Sequence, residues 1–226
     1  MTKEILTVSM LAAAFALGAA EYISPNTIGR CDITKASTLT KVIVPVPFLN
    51  YNADPVSTAP IKAADLIQVG TLAAGDKLYK IDNGTYLCWQ LNAGKTAWEP
   101  VAATGVGGAP GSTPSAATGV ELARGDGFWL ETKATSVVLL GQAPETEGVS
   151  VTLAAGWNLV GVTKSAGVAL STIAGTKGDK IIFSDGSKVE RGTSGWAVRG
   201  GGTVPTTLEA GTGFWYYSVE SKSITL

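Results

Sequence analysis

The hydrophobic positions of this chain fall in short runs with strand character. Val42-Ile43-Val44, Ser136-Val137-Val138-Leu139-Leu140 and Leu159-Val160-Gly161-Val162 are β-branched or aliphatic stretches. Gly, Pro, Asn and Asp bound most such runs, as strands require. Phe214-Trp215-Tyr216-Tyr217 carries aromatics at successive positions. Strand side chains alternate between faces, so this strand is expected to be covered on both sides or to lie at a subunit contact. Asn83-Gly84 and Asp185-Gly186 predict hairpin turns, because these residues tolerate the positive φ of a type I′ turn. Pro45 and Pro47 remove two backbone donors, which predicts an edge strand or a bulge. Helix is expected only briefly, within residues 59–72 and 168–174. Residues 102–119 read as a long Gly/Ala/Thr/Pro-rich surface loop. Residues 142–148 read as a joint short enough to make the flanking parts pack on each other.

The same residues recur in order. Gly75-Asp76-Lys77-Leu78 returns as Gly178-Asp179-Lys180-Ile181, and Gly125-Asp126-Gly127-Phe128-Trp129 as Gly211-Thr212-Gly213-Phe214-Trp215. Leu122 and Leu208 each stand three residues before the opening glycine, and Trp98 and Trp196 fall between the two anchors. Ordered recurrence predicts a tandem duplication. The expected fold is therefore all-β, with two degenerate sandwich- or barrel-like units at 21–141 and 149–226. Superposing the units should bring Phe214 onto Phe128 and Gly178 onto Gly75.

Residues 1–20 read as a signal peptide. Lys3 precedes an apolar run from Ile5 to Leu17, and Gly18-Ala19-Ala20 offers the small side chains a signal peptidase requires. The run is short for a bilayer crossing, which needs roughly 20 apolar residues. The alternative is a retained helix serving as an anchor or a packing element. Charged residues make up 15% of the chain, against a usual share of about a quarter. The formal net charge is -1, so no global field favours nucleic acid or an anionic membrane. Export to the cell surface, the medium or the periplasm fits this surface of Gly, Thr, Ser and Ala. In an oxidising compartment the two cysteines, Cys31 and Cys88, are expected to form a disulfide; the alternative is a pair of buried free thiols.

Gly156-Trp157-Asn158-Leu159-Val160, then Gly178-Asp179-Lys180-Ile181, then Gly211-Thr212-Gly213-Phe214-Trp215 resembles a repeat of exported and surface proteins in the Verrucomicrobia–Lentisphaerae–Planctomycetes group. The first half departs from that pattern, with Thr38-Leu39-Thr40-Lys41 where Gly-Trp-Asn would stand. The resemblance implies a secreted β module and brings no reaction or ligand with it.

The chain has no histidine, so neither a Ser-His-Asp nor a Cys-His arrangement can be built. Paired carboxylates remain open to it. Asp76, Asp126, Asp179, Asp185 and Glu190 are the candidates, although most sit in turns where a carboxylate ordinarily holds local backbone. Asp82-Asn83-Gly84 and Asp185-Gly186-Ser187 lack the further acidic ligands of a calcium loop. No cofactor, metal or nucleic-acid partner is expected. Trp129, Trp157 and Trp215 are expected in the core, whereas Trp98 and Trp196 are the candidates for an exposed binding surface. Ser223, Ile224, Thr225 and Leu226 form the candidate assembly strand, paired with an N-terminal partner or with a neighbouring subunit. The expected role is a non-catalytic, self-associating surface protein, such as a layer, sheath or filament subunit. The rival is an extracellular module that binds polysaccharide or another surface partner.

Overall fold

The computed structural model describes residues 28–50, 59–82, 84–103, 110–115, 119–144, 148–198 and 204–226. The expected signal peptide at 1–20 and the turn residue Asn83 lie outside them, as do parts of the 102–119 loop and of the joint. The first half opens with β1 (Ile28–Thr34), β2 (Lys41–Pro45) and β3 (Ile61–Lys62). One turn of helix, α1 (Ala63–Leu66), runs into β4 (Ile67–Gln68) and a 3-10 turn at Val69–Thr71. Then come β5 (Lys77–Asp82), β6 (Thr85–Leu91), β7 (Trp98–Val101) and β8 (Gly111–Ser112). The half closes with β9 (Glu121–Leu122), β10 (Gly127–Glu131) and β11 (Ser136–Gln142).

The second half begins with β12 (Ser150–Leu153), β13 (Gly156–Gly161) and β14 (Val168–Ala169), followed by a 3-10 turn at Leu170–Thr172. It continues through β15 (Lys180–Ile182), β16 (Lys188–Arg191) and β17 (Trp196–Val198). It ends with β18 (Thr207–Leu208), β19 (Gly213–Ser218) and β20 (Lys222–Thr225).

The two halves have one topology. The main sheet runs β2-β10-β5-β6-β7 in the first and β13-β19-β15-β16-β17 in the second. β1 pairs β11 as β12 pairs β20, and β3 pairs β9 as β14 pairs β18. Register agrees as well: Phe128 stands opposite Val44 and Phe214 opposite Val160. β2 is an edge of its sheet, as Pro45 at its end requires, and Pro47 follows just beyond it. The first half adds two features. β8, inside the expected loop, pairs in parallel with β6, and β4 pairs with the free side of β11.

Each half closes around its own core. Phe128, Leu130, Leu78 and Trp89 fill the first, and Phe214, Tyr216, Ile181 and Leu208 fill the second. Turns of one kind feed the strands. Asp76, Asp126, Asp179 and Thr212 each donate a backbone N–H three residues back, to Ala73, Ala123, Thr176 and Glu209. The third residue of each turn is a glycine with φ between +74 and +97° (Gly75, Gly125, Gly178, Gly211), the type II geometry that disfavours a side chain.

The outer faces of the two main sheets pack back to back. Ile43, Tyr79, Tyr86 and Cys88 of the first meet Leu159 and Trp215 of the second, with Trp129 and Ile182 against them. Contact is closest where side chains are missing. A β-carbon on Gly127 would stand 2.7 Å from the Val160 carbonyl oxygen, and one on Gly213 would stand 2.7 Å from that of Ile43. Gly161 packs on Pro45 and donates its N–H to the Gly125 carbonyl at 3.0 Å. The aromatic strand β19 is thus covered on both faces, with Phe214 and Tyr216 toward the core and Trp215 toward the other half.

Of the two partners expected for the candidate assembly strand, the structure supplies the one within the chain. Val149 and Leu226 exchange both backbone hydrogen bonds, and Val151 stands opposite Ile224, so β20 is paired inside the chain. Ile224 and Leu226 are buried in the second core, because alternate strand residues face inward. Removing residues 223–226 would open that core rather than release an intact monomer.

Gly127→Ala and Gly213→Ala should each destabilise the fold by about 1–3 kcal/mol, the usual cost of overpacking. Gly70→Ala, with nothing within 4 Å of the new methyl, should leave the denaturant midpoint nearly unchanged.

Candidate functional site

The turn carboxylates hold backbone. Asp76 accepts from the Ala73 N–H at 2.9 Å, Asp126 from Ala123 at 2.9 Å and Asp179 from Thr176 at 2.8 Å. Asp185 accepts from the Ser187 N–H and hydroxyl. Asp179 is fully buried and accepts further bonds from the Tyr216 hydroxyl at 2.7 Å, the Val219 N–H at 3.0 Å and Lys222 Nζ. Burial opposes its ionisation, but these donors outweigh that and hold its carboxyl below the usual carboxylate range. Tyr216 is raised by burial and by that carboxylate. The cluster is saturated and closed to solvent, so it braces the end of β19 rather than acting on a ligand.

The tryptophans are distributed otherwise than expected. Trp98 is 8% exposed and packs inside the first core, because β7 turns it inward beside Leu91, its partner on β6. Trp196 is half-buried against the second core and donates Nε1–H to the Ile173 carbonyl at 3.4 Å. The two do not form an exposed binding surface. Trp215 is buried and Trp129 half-buried, both in the layer between the halves rather than inside either core. Trp157, expected in the core, is 39% exposed.

Cross-strand register explains these placements. In the first sheet, Ile43, Trp129, Tyr79, Cys88 and Val101 form one row across five strands, and the second half covers it. One step outward on the same face lies the row Lys41, Glu131, Lys77, Gln90 and Glu99. Lys41 pairs with Glu131 at 3.5 Å and stands over the Tyr79 and Trp129 rings. The equivalent rim row of the second sheet is Trp157, Tyr217, Lys180, Glu190 and Ala197. Trp157 meets Tyr217 edge-to-face at 5.1 Å between ring centres and Trp215 at 6.0 Å. Lys180 Nζ stands 5.4 Å over the Tyr217 ring. An open hollow of about 410 Å³ beside the first rim is lined by Gln90, Asn92 and Glu99. The second rim is the candidate site. The Gly156-Trp157-Asn158 motif hid it, because Asn158 braces the turn through Ala154 while its neighbour Trp157 points the other way.

The disulfide is corrected. Cys31 and Cys88 are both free. Cys31 lies on β1 against the first core, whereas Cys88 sits in the layer between the halves. Strand alternation assigns them to different faces of different sheets, which sequence spacing does not reveal. Burial pushes both thiols up, and the nearby charge of Asp32 adds to the rise at Cys31.

Among the described residues no cluster of acidic, cysteine or histidine side chains is placed to hold a metal, and no helix is long and apolar enough to cross a membrane. No family model matches the chain, and neither the curated proteins nor the solved structures contain a match to it.

Without reductant, the unfolded chain should titrate two thiols per molecule with a thiol-specific reagent, and the native chain fewer. Asp179 also makes stability depend on pH. Its folded pKa lies below the unfolded value of about 4, so its contribution is complete above that value and lost as pH falls through the folded one. Asp179→Asn should cost roughly 3–5 kcal/mol at pH 7, as breaking a buried pair does, and should flatten the acid limb of the stability curve.

Proposed function

We propose that the chain is an exported, non-catalytic surface protein that associates with copies of itself through the outer edge of β20. One observation carries this reading. In the first half, β4 covers the free side of β11. The six residues that form α1 and β4, Ala63–Gln68, have no counterpart between Ala169 and Leu170, so in the second half the same side of β20 carries no strand among the described residues. Val149 and Leu226 exchange both backbone hydrogen bonds, so by ladder alternation Ser223 and Thr225 direct their N–H and C=O groups to that open side. Both residues have exposed side chains without charge, and the nearby Lys222 is committed to Asp179. Such an edge lacks the charged or proline gatekeepers that keep strands from pairing with other chains. A second copy is the occupant that a neutral, unguarded edge admits most readily, through antiparallel pairing of like with like.

Low overall charge, the signal-like residues 1–20 and the resemblance to exported repeats support a place outside the cell. The polysaccharide reading through Trp98 and Trp196 loses its residues, since neither is freely exposed. Thr225→Pro tests the edge, because it removes a donor that points away from β12. Sedimentation of the chain from Glu21 onward should show concentration-dependent association, and the variant should stay monomeric with the same circular dichroism. A wild-type chain that remains monomeric at high concentration, or a folded variant that associates equally well, would overturn the proposal.

A further inference from the structure

The geometry points to a second, separate site: the rim row Trp157–Tyr217–Lys180–Glu190 binds the pyranose units of a neutral polysaccharide. The duplication supplies an internal control. At the cross-strand position where the second half carries Trp157 and Tyr217, the first carries the ion pair Lys41 and Glu131. The fold therefore accepts a solvated charged pair at this place, and packing does not call for two aromatics there. Trp157 nevertheless leaves 39% of its surface to solvent, and contacts with Trp215 and Tyr217 fix its orientation.

The size of the surface selects the occupant. A fully buried aromatic covers about 150–250 Å², so two partly covered rings supply far less than the roughly 800 Å² per partner of a stable protein interface. They are sufficient for a sugar ring, whose axial C–H face meets the electron-rich face of an aromatic. Neighbouring strands lie about 4.8 Å apart, close to the length of one pyranose. Trp157 therefore offers the stacking position, buttressed edge-to-face by Tyr217, and the next strands carry polar groups at about one sugar's spacing. Lys180 and Glu190, direct partners on β15 and β16, continue the row with opposite charges. Their charges cancel, which favours a neutral polysaccharide over a polyanion. This site lies on a sheet face and does not depend on the strand edge of β20.

The test is affinity electrophoresis of the chain from Glu21 onward through gels cast with β-glucan, xylan, galactomannan or, as the polyanion, carboxymethylcellulose. At least one neutral polymer should retard the wild type. The double variant Trp157→Lys with Tyr217→Glu copies the charged pair of the first half, so it should fold with unchanged circular dichroism and lose that retardation. Trp157→Phe should retain part of it. The inference is overturned if no neutral polymer retards the chain or if the folded double variant is retarded equally. It is likewise overturned if the double variant changes oligomeric state instead, which would make the row a protein contact.

Discussion

The arrangement depends on how closely two sheet backs can approach. Face-to-face sheets ordinarily stand about 10 Å apart, the depth of two interleaved side-chain layers. Here Gly127, Gly161 and Gly213 remove that layer at the centre, so backbone of one half meets backbone of the other. The bridge between Asp126 and Val160 and the bond from the Gly161 N–H to Gly125 join the halves directly. Around this point Trp129, Trp215, Tyr79 and Tyr86 fill the diverging space. Two cores that would otherwise be independent become one body, and the rim rows on either side acquire fixed positions.

Duplication followed by divergence accounts for the asymmetries that bear on function. The shared topology gives each strand of the row β2-β10-β5-β6-β7 a counterpart in β13-β19-β15-β16-β17, so equivalent positions can be compared. Against that standard, the described residues of the second half hold no counterpart of the short helix and strand beside β11. The second half also places aromatics at a rim where the first half places a salt bridge. Neither difference follows from folding alone, since the other half folds without it. Both features leave surface open among the described residues, one along a strand edge and the other at aromatic rings, and each suits a different kind of occupant.

Several expectations failed for one physical reason. Strand class, repeat order and turn chemistry depend on neighbours close in sequence, and they were legible in the Gly-Asp turns, in Pro45 of β2 and in the aromatic run of β19. Facing is another matter. A strand residue's period-two neighbours show which residues share its face, but not whether that face looks into a core, onto another sheet or into water. Trp98 therefore went inward and Trp157 outward, and Cys88 entered the layer between the halves, away from Cys31.

An all-β chain of two related units, the glycines at their turns and the absence of any histidine chemistry were all legible from the residues alone. Those properties reside in local conformational preference and in composition. Tertiary structure alone decided that the sheets pack through glycine, that β20 closes its own core, and that the row at Trp157 remains open to solvent. These outcomes depend on which surfaces meet, and surfaces far apart in sequence meet only once both halves have folded.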